Sequence, residues 1–188
     1  MAEQDAAHFN LFLLQKFLDE DTCAGIMAEL NLSPTTQAPV YIEGSSSVIH
    51  ETVRKTTSLH PSDETFDSVH DHLLQQKPLL EEHFGHSLND CEPPQFLRYE
   101  IGDFFVRHQD GNTAQLDFDH LRIRRISIVV FLNDSFSGGA LCFYDQTGAN
   151  NFALHGETGM LVAFKADTFH EVVPVTNGQR FTIISWFR

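Results

Sequence analysis

Cysteine is scarce and scattered. The chain has three, Cys23, Cys91 and Cys142, with no Cys-x-x-Cys pair. No disulfide framework is legible, and the set reads as reduced thiols in a cytoplasmic protein. Basic residues are also few. Twelve Lys and Arg stand against 26 Asp and Glu, a formal net charge of −14, and no run of five Lys or Arg occurs. A nucleic-acid partner would need the opposite balance, because phosphate contact rests on clustered positive charge. The acidity itself reads as a solubility device. The opening MAEQDAAHFN is too polar for a signal peptide, and no apolar run approaches the ~20 residues that span a bilayer, so no membrane partner is expected. No repeat, long linker or low-complexity tract divides the chain. At 188 residues it reads most simply as one domain, 1–188, long enough to bury a substantial core.

Phenylalanine is abundant, 17 residues against a single Trp, and His is frequent at 11. Phe9 to Leu18 is apolar and short, a first strand. Asp19-Glu20-Asp21-Thr22 then opens a helix: Asp can cap it, and acids suit the positive N-terminal end. Ile26, Met27 and Leu30 form its apolar face before Asn31 and Pro34 stop it. Residues 33–47 read as a loop interrupted by Val40-Tyr41-Ile42. Val48 to Leu59 is ambiguous, with β-branched residues favouring a strand. Pro61-Ser62-Asp63-Glu64 opens a second helix, with Phe66, Val69 and Leu73 and then Leu80 and Phe84 at helical spacing. Pro78 should break or kink it, and Gly85 should end it. From Pro94 onward the chain is strand-like, at about 95–108, 124–133, 139–145, 151–155, 159–165, 168–175 and 180–187. Asn133-Asp134, Ser137-Gly138-Gly139 and Asn177-Gly178 mark turns. The fold class expected is mainly β with supporting α-helices: a jelly roll of two facing antiparallel sheets over about 94–188, with the helices of about 1–92 buttressing one sheet from outside.

The stretch LRYEIGDFFVRHQD, Leu97 to Asp110, carries the chemistry when read with Phe169-His170-Glu171 and Arg180-Phe181-Thr182. Two imidazoles and one carboxylate, from His108, Asp110 and His170, can occupy one side of a metal and leave three positions open, as in non-haem Fe(II) oxygenases. Arg180 could hold a dicarboxylate cosubstrate, because guanidinium forks a carboxylate with two hydrogen bonds. A His-x-Asp triplet alone carries little weight in a chain with 11 His. His70 and His72 flank Asp71 on an expected helix, where i and i+2 diverge. His155-Gly156-Glu157 has no distal partner at useful spacing. Residues i and i+2 of a strand face the same way, which favours His108 and Asp110.

The pattern Tyr99-x-x-Gly102-x-x-x-x-x-His108-x-Asp110 resembles the prolyl 4-hydroxylase-like branch of the Fe(II)/2-oxoglutarate dioxygenases. So do the run from Arg125 to Asn133, Gly138-Gly139-Ala140-Leu141-x-Phe143, Gly159 to Phe164, His170-Glu171-Val172-x-Pro174-Val175 and Arg180-x-Thr182 before Trp186-Phe187. The likeness covers about the last ninety residues, in order. It implies a double-stranded β-helix, with Fe(II) held by His108, Asp110 and His170, the distal carboxylate of 2-oxoglutarate gripped by Arg180, and O2 as cosubstrate. Tyr99 resembles the family tyrosine that hydrogen-bonds the cosubstrate. Thr182, on the same strand face as Arg180, could donate to the same carboxylate. A second tyrosine of some relatives is replaced here by Phe131. The reaction implied is hydroxylation of an unactivated C–H bond, with a prolyl residue of a peptide or protein as the leading substrate. A free amino acid, a natural-product intermediate, or a non-catalytic cupin-like metal-binding module are the alternatives.

Three local features of the sequence carry expectations of their own. If Thr176-Asn177-Gly178 closes a hairpin, Arg180 should lie opposite Pro174 through a three-residue loop or bulge, because pairing with Val175 would turn it away from His170. Arg122, Arg124 and Arg125 are either a solvated strand edge or a contact for an anionic substrate. Residues 111–123 are either a mobile lid over the substrate or an ordinary surface loop.

Overall fold

A computed structural model describes residues 8–39, 50–111, 123–148 and 151–188. Three helices precede most of the strands. Helix α1, Glu20–Leu30, begins where the Asp19 side chain accepts from the Thr22 N–H at 2.7 Å, with Glu20 and Asp21 in its first turn. Helix α2, Asp63–Leu74, is capped by Ser62. Helix α3, Lys77–Phe84, carries Pro78 in its first turn and ends at Gly85 with φ +68°, the left-handed C-terminal conformation glycine adopts without strain. Pro78 thus separates two helices rather than kinking one, because its missing N–H costs nothing in a first turn.

The strands are β1 Phe12–Leu14, β2 Thr35–Gln37, β3 Arg54–Lys55, β4 Thr57–Leu59, β5 Gln95–Tyr99, β6 Phe104–His108, β7 Ile126–Phe131, β8 Ser137–Gly138, β9 Leu141–Tyr144, β10 Asn151–Leu154, β11 Leu161–Lys165, β12 Phe169–Val172, β13 Val175–Asn177 and β14 Arg180–Phe187. They form a seven-stranded sheet in the order β1-β11-β7-β14-β5-β4-β2 and a five-stranded sheet in the order β10-β9-β12-β6-β3. A small β13-β8 pair stands apart. Every pairing is antiparallel. This is the expected jelly roll.

The period-two alternation of the large sheet builds two cores. Ile126, Ile128 and Val130 of β7 and Phe181, Ile183 and Phe187 of β14 point outward to Ile26 and Leu30 of α1, Leu73 of α2 and Leu80 and Phe84 of α3. Leu30, Leu73 and Leu80 are fully buried there, each contributing about 1.5–3 kcal/mol of transfer free energy. On the other face, Leu97, Tyr99, Val129, Phe131, Val162 and Phe164 meet Leu141, Phe143 and Val172 of the five-stranded sheet. The helices therefore stiffen one sheet from outside, and the space between the sheets is left for the site.

Several strands are shorter or differently joined than the sequence suggests. Only Phe12–Leu14 of the Phe9–Leu18 stretch is strand; Asn10 and Lys16 bracket it with φ of 51° and 56°. The stretch 95–108 is two strands in different sheets, because Glu100–Asp103 is a tight turn in which the Asp103 carboxylate accepts from the Glu100 N–H and Gly102 takes φ +84°. The stretch 168–175 likewise divides into β12 and β13. The hairpin expected at Thr176-Asn177-Gly178 does not form. β13 pairs with β8, β14 pairs with β5 and β7, and Arg180 lies opposite Tyr99 rather than Pro174. The chain crosses here between sheets, so the parity of a hairpin never applies. The Val40-Tyr41-Ile42 interruption and almost all of the 111–123 segment lie outside the described residues.

Candidate metal centre and active site

His108 ends β6 and His170 sits in β12, and the two are direct cross-strand partners. Their rings approach to 4.2 Å between centroids. The β6–β12 register shifts between this pair and Phe105 opposite Val172, so β6 carries one extra residue over that span. Such a bulge re-aims side chains. It brings Phe105 and His108 to the same side, stacked at 3.6 Å between ring centroids and 19° between planes.

Asp110 lies just past β6, where its N–H bonds to the Ala166 carbonyl at 2.9 Å. Its two carboxylate oxygens stand 3.4 Å from His108 Nε2 and 3.5 Å from His170 Nε2. The three donor atoms lie within 4.8 Å of one another, and these residues can hold a metal ion. Cis donors on bonds of about 2.1 Å stand about 3 Å apart, so the spacing fits. The tautomers fit as well. His108 Nδ1 hydrogen-bonds the Val106 carbonyl at 2.8 Å and His170 Nδ1 the Thr168 carbonyl at 2.9 Å, which places the proton on Nδ1 and leaves the Nε2 lone pair for a metal. Ser127, the one hydroxyl in the apolar β7, donates to Asp110 Oδ2 at 2.7 Å.

Burial and the neighbouring His108 push His170 down to about pKa 4, so its ring is neutral at physiological pH. Burial alone would raise the Asp110 carboxyl; the facing His170 and His108 override it and hold the group well below the usual carboxylate range. Between pH 6.5 and about 4 the unfolded chain therefore binds more protons at residue 170 than the folded one, and stability of the metal-free protein rises with pH across that window. Thermal melts of metal-free protein should show a larger loss from pH 7 to pH 4.5 in the wild type than in His170→Gln. An identical loss in both would remove His170 from the linkage.

Arg180 opens β14 and is 1% exposed. Asn133 brackets it: the Asn133 amide donates to the Gln179 carbonyl at 2.8 Å and accepts from the Phe181 N–H at 2.9 Å. The guanidinium lies 5.0 Å from the Tyr99 and Phe131 ring centroids, and Nη1 donates to Thr182 Oγ1 at 3.2 Å. Gly156 backs Phe131 so closely that a β-carbon there would stand 2.2 Å from the ring. Nε of Arg180 has no partner, and no carboxylate of the described residues pairs with the cation. Burial draws its pKa down to about 10, with Tyr99 opposing, so it remains charged at neutral pH. A buried, unpaired cation is costly unless a ligand answers it.

All six residues singled out from the sequence, His108, Asp110, His170, Tyr99, Arg180 and Thr182, line one cavity of about 440 Å³ between the sheets. Arg124 is no solvated strand edge, and it lines the same cavity. It is buried and forks Glu92 at 2.9 and 2.6 Å, with its guanidinium 3.6 Å above the Trp186 ring. Arg125 is exposed, and Arg122 lies outside the described residues. Sequence reasoning passed over Asn133 as a positioning residue and Ser127 as the Asp110 partner; a lone hydroxyl in a buried apolar strand was the available signal.

An antiparallel jelly roll whose inner face gathers two histidines and a carboxylate, with an unanswered arginine in the same cavity, has the architecture of the facial-triad non-haem iron proteins. The family model described as the 2OG-Fe(II) oxygenase superfamily matches residues 94–188. The chain belongs to that superfamily. A PKHD-type hydroxylase of Burkholderia cenocepacia is 36% identical over 99 residues, 51% of this chain and 43% of that protein. A PKHD-type hydroxylase of Paraburkholderia xenovorans is 37% identical over the same shares. The match thus spans less than half the length of these curated relatives. The solved structure of a Pseudomonas putida prolyl-4-hydroxylase aligns with a TM-score of 0.72 at 24% identity, covering 100% of this chain and 96% of that one. A Trichoplax adhaerens prolyl hydroxylase, solved with a hypoxia inducible factor oxygen degradation domain peptide fragment, gives 0.72 at 14% identity, with coverage of 100% and 87%. At these identities the two structures speak for the fold. The family implies Fe(II), 2-oxoglutarate and O2, and the residues here fit both the metal and the diacid.

Proposed function

We propose that this protein is an Fe(II)- and 2-oxoglutarate-dependent dioxygenase that hydroxylates an unactivated C–H bond, with a prolyl residue of a peptide or protein as substrate. The observation that carries the reading is Arg180: a fully buried guanidinium without a carboxylate partner among the described residues, in the same cavity as two imidazoles and a carboxylate that converge on one point. A cupin-like metal-binding module has no need of it. The peptide reading is supported by prolyl hydroxylases among the relatives of like fold, one of them solved with a peptide.

In this reading His108, Asp110 and His170 are the metal ligands, held by the Val106 and Thr168 carbonyls and the Ser127 hydroxyl. Arg180 binds the distal carboxylate of 2-oxoglutarate, and Thr182 and Tyr99 orient it. Phe131 presents a ring where some relatives present a hydroxyl, so its contribution is packing under the guanidinium. The apolar walls, Val129, Leu141, Val172 and Ile184, exclude water. Bound Fe(II) with 2-oxoglutarate supplies the activation of O2, with succinate and CO2 as coproducts. The 1–188 chain acts as one domain in which the helices only support the catalytic sheet. Its three cysteines are buried and unpaired, which suits the reducing cytoplasm. No helix among the described residues is long and apolar enough to cross a membrane.

The test is succinate formation from 2-oxoglutarate under Fe(II) and air, with and without proline-containing peptides, followed by mass spectrometry of the peptide. Peptide-stimulated succinate with one oxygen added at proline is the expected result. Stimulation by free amino acids alone would move the substrate assignment to the small-molecule alternative.

A further inference from the structure

The cavity holds more positive charge than the proposed reaction consumes. Among the described residues its lining includes four arginines, Arg54, Arg107, Arg124 and Arg180, and one carboxylate, Asp110. Asp110 is committed to the metal position. Arg124 is neutralised by Glu92 at 2.6 Å. Arg180 is answered by 2-oxoglutarate. Arg107 is exposed and held between the Tyr144 and Phe169 rings, 4.8 and 4.7 Å from their centroids. Arg54 has no such account. It is 6% exposed, its one hydrogen bond among the described residues is from Nη1 to the Pro39 carbonyl at 3.2 Å, and Nε and Nη2 have no partner.

The fold places this guanidinium beside the chemistry. Arg54 in β3 is the cross-strand partner of Phe105 in β6 and sits 4.9 Å from that ring's centroid. The bulge in β6 turns Phe105 onto His108, stacked at 3.6 Å. Arg54 is therefore one ring removed from a metal ligand, on the five-stranded sheet, while Arg180 is on the seven-stranded sheet. Burying a cation without a counter-charge destabilises a fold, and in a chain of net charge −14 a surface carboxylate partner would have been easy to supply. An anionic ligand that arrives with the substrate resolves the imbalance.

We propose that Arg54 is the anchor of a substrate subsite for a carboxylate, so that the accepted substrate carries an acidic group next to the carbon to be hydroxylated. This rests on the cavity being the catalytic centre. The carboxylate comes from an acidic side chain beside a target proline in a peptide or from the α-carboxylate of a free amino acid, and the shared chemistry is a guanidinium–carboxylate fork. Arg107, at the same cavity wall, adds steering potential for the same charge.

The single tryptophan, Trp186, lines the cavity and reports on occupancy by its fluorescence. Zn(II)-loaded protein saturated with 2-oxoglutarate is titrated with two matched pairs: blocked peptides with Glu or Gln on either side of proline, and L-proline against L-prolinamide. The acidic member of one pair should bind about tenfold or more tighter, and the preferred pair identifies the source of the carboxylate. The preference should vanish in Arg54→Gln and in Arg54→Met, whose apolar chain has similar reach. Arg54→Met should also melt no lower than wild type, since no carboxylate of the described residues loses a partner. Equal binding of acid and amide in both pairs, a preference that survives in Arg54→Met, or no binding of any probe overturns the assignment. A marked drop in melting temperature for both variants, or loss of 2-oxoglutarate binding in them, makes Arg54 structural and overturns it too. Failure of the dioxygenase reading looks different: wild-type protein would then bind no 2-oxoglutarate at all.

Discussion

Alanine at His108, at Asp110 or at His170 is expected to abolish iron-dependent turnover of 2-oxoglutarate while the protein stays folded. Each residue contributes one of the three donor atoms that lie within 4.8 Å of one another, and no fourth His, Cys, Asp or Glu joins them among the described residues. Loss of a partner that merely orients a ligand costs about 10–100-fold in metal affinity or activity, so loss of a ligand itself should exceed about a hundredfold. The fold should survive, because the sheets are held by the two apolar clusters on either side of β7 and β14 and not by the triad. The Asp110 variant also releases the Ser127 hydroxyl, a single hydrogen bond. The measurement is succinate production with circular dichroism as the folding control. Full activity in any one variant would remove that residue from the ligand set.

Arg180→Ala is the second large effect. The 2-oxoglutarate concentration needed for half-saturation should rise by roughly a hundredfold or more, because a charge-assisted fork to a buried carboxylate is lost and that carboxylate is left unpaired. Fe(II) affinity should change far less, since Arg180 touches Tyr99, Phe131 and Thr182 and none of the three metal-site residues. Thr182 accepts from Arg180 and cannot substitute for its charge. Titration of iron and of 2-oxoglutarate in the same variant separates the two. Equal loss of both would mean that Arg180 holds up the strand rather than the cosubstrate.

Much of the site was legible because it obeys strand parity. On β14, residues 180, 182, 184 and 186 share the inner face, so Thr182 could be placed beside Arg180 from spacing alone, whereas Trp186 was not foreseen there. The helices were legible through their caps: Asp19, Ser62, Pro78 and Gly85 each do in the structure what their chemistry dictates. Legibility ended where long-range pairing decides. The turn at Glu100–Asp103 sends Tyr99 and His108 to different sheets; Gly102-Asp103 is a local turn signal, but nothing local says that the chain changes sheets there. The Asn177-Gly178 pair has hairpin chemistry, yet the strand before it pairs with β8, so a crossover uses the turn instead. The bulge in β6 that faces Phe105 and His108 the same way depends on β12, sixty residues further along. Arg124 and Glu92 look like surface charges in sequence; only the closing of β14 over them makes a buried pair. Arg54 was invisible for the same reason, lying in a two-residue strand whose meaning comes entirely from its partner Phe105.

The most direct measurement of the central claim is an anaerobic titration with Fe(II) followed by 2-oxoglutarate, monitored in the visible range. If His108, Asp110 and His170 hold the iron and Arg180 holds the diacid, a weak charge-transfer band of the iron–2-oxoglutarate chelate appears only when both are present. It should saturate at one equivalent of each and be lost in His170→Ala. Iron binding without any band on addition of 2-oxoglutarate would contradict the account and leave a metal-binding module in its place.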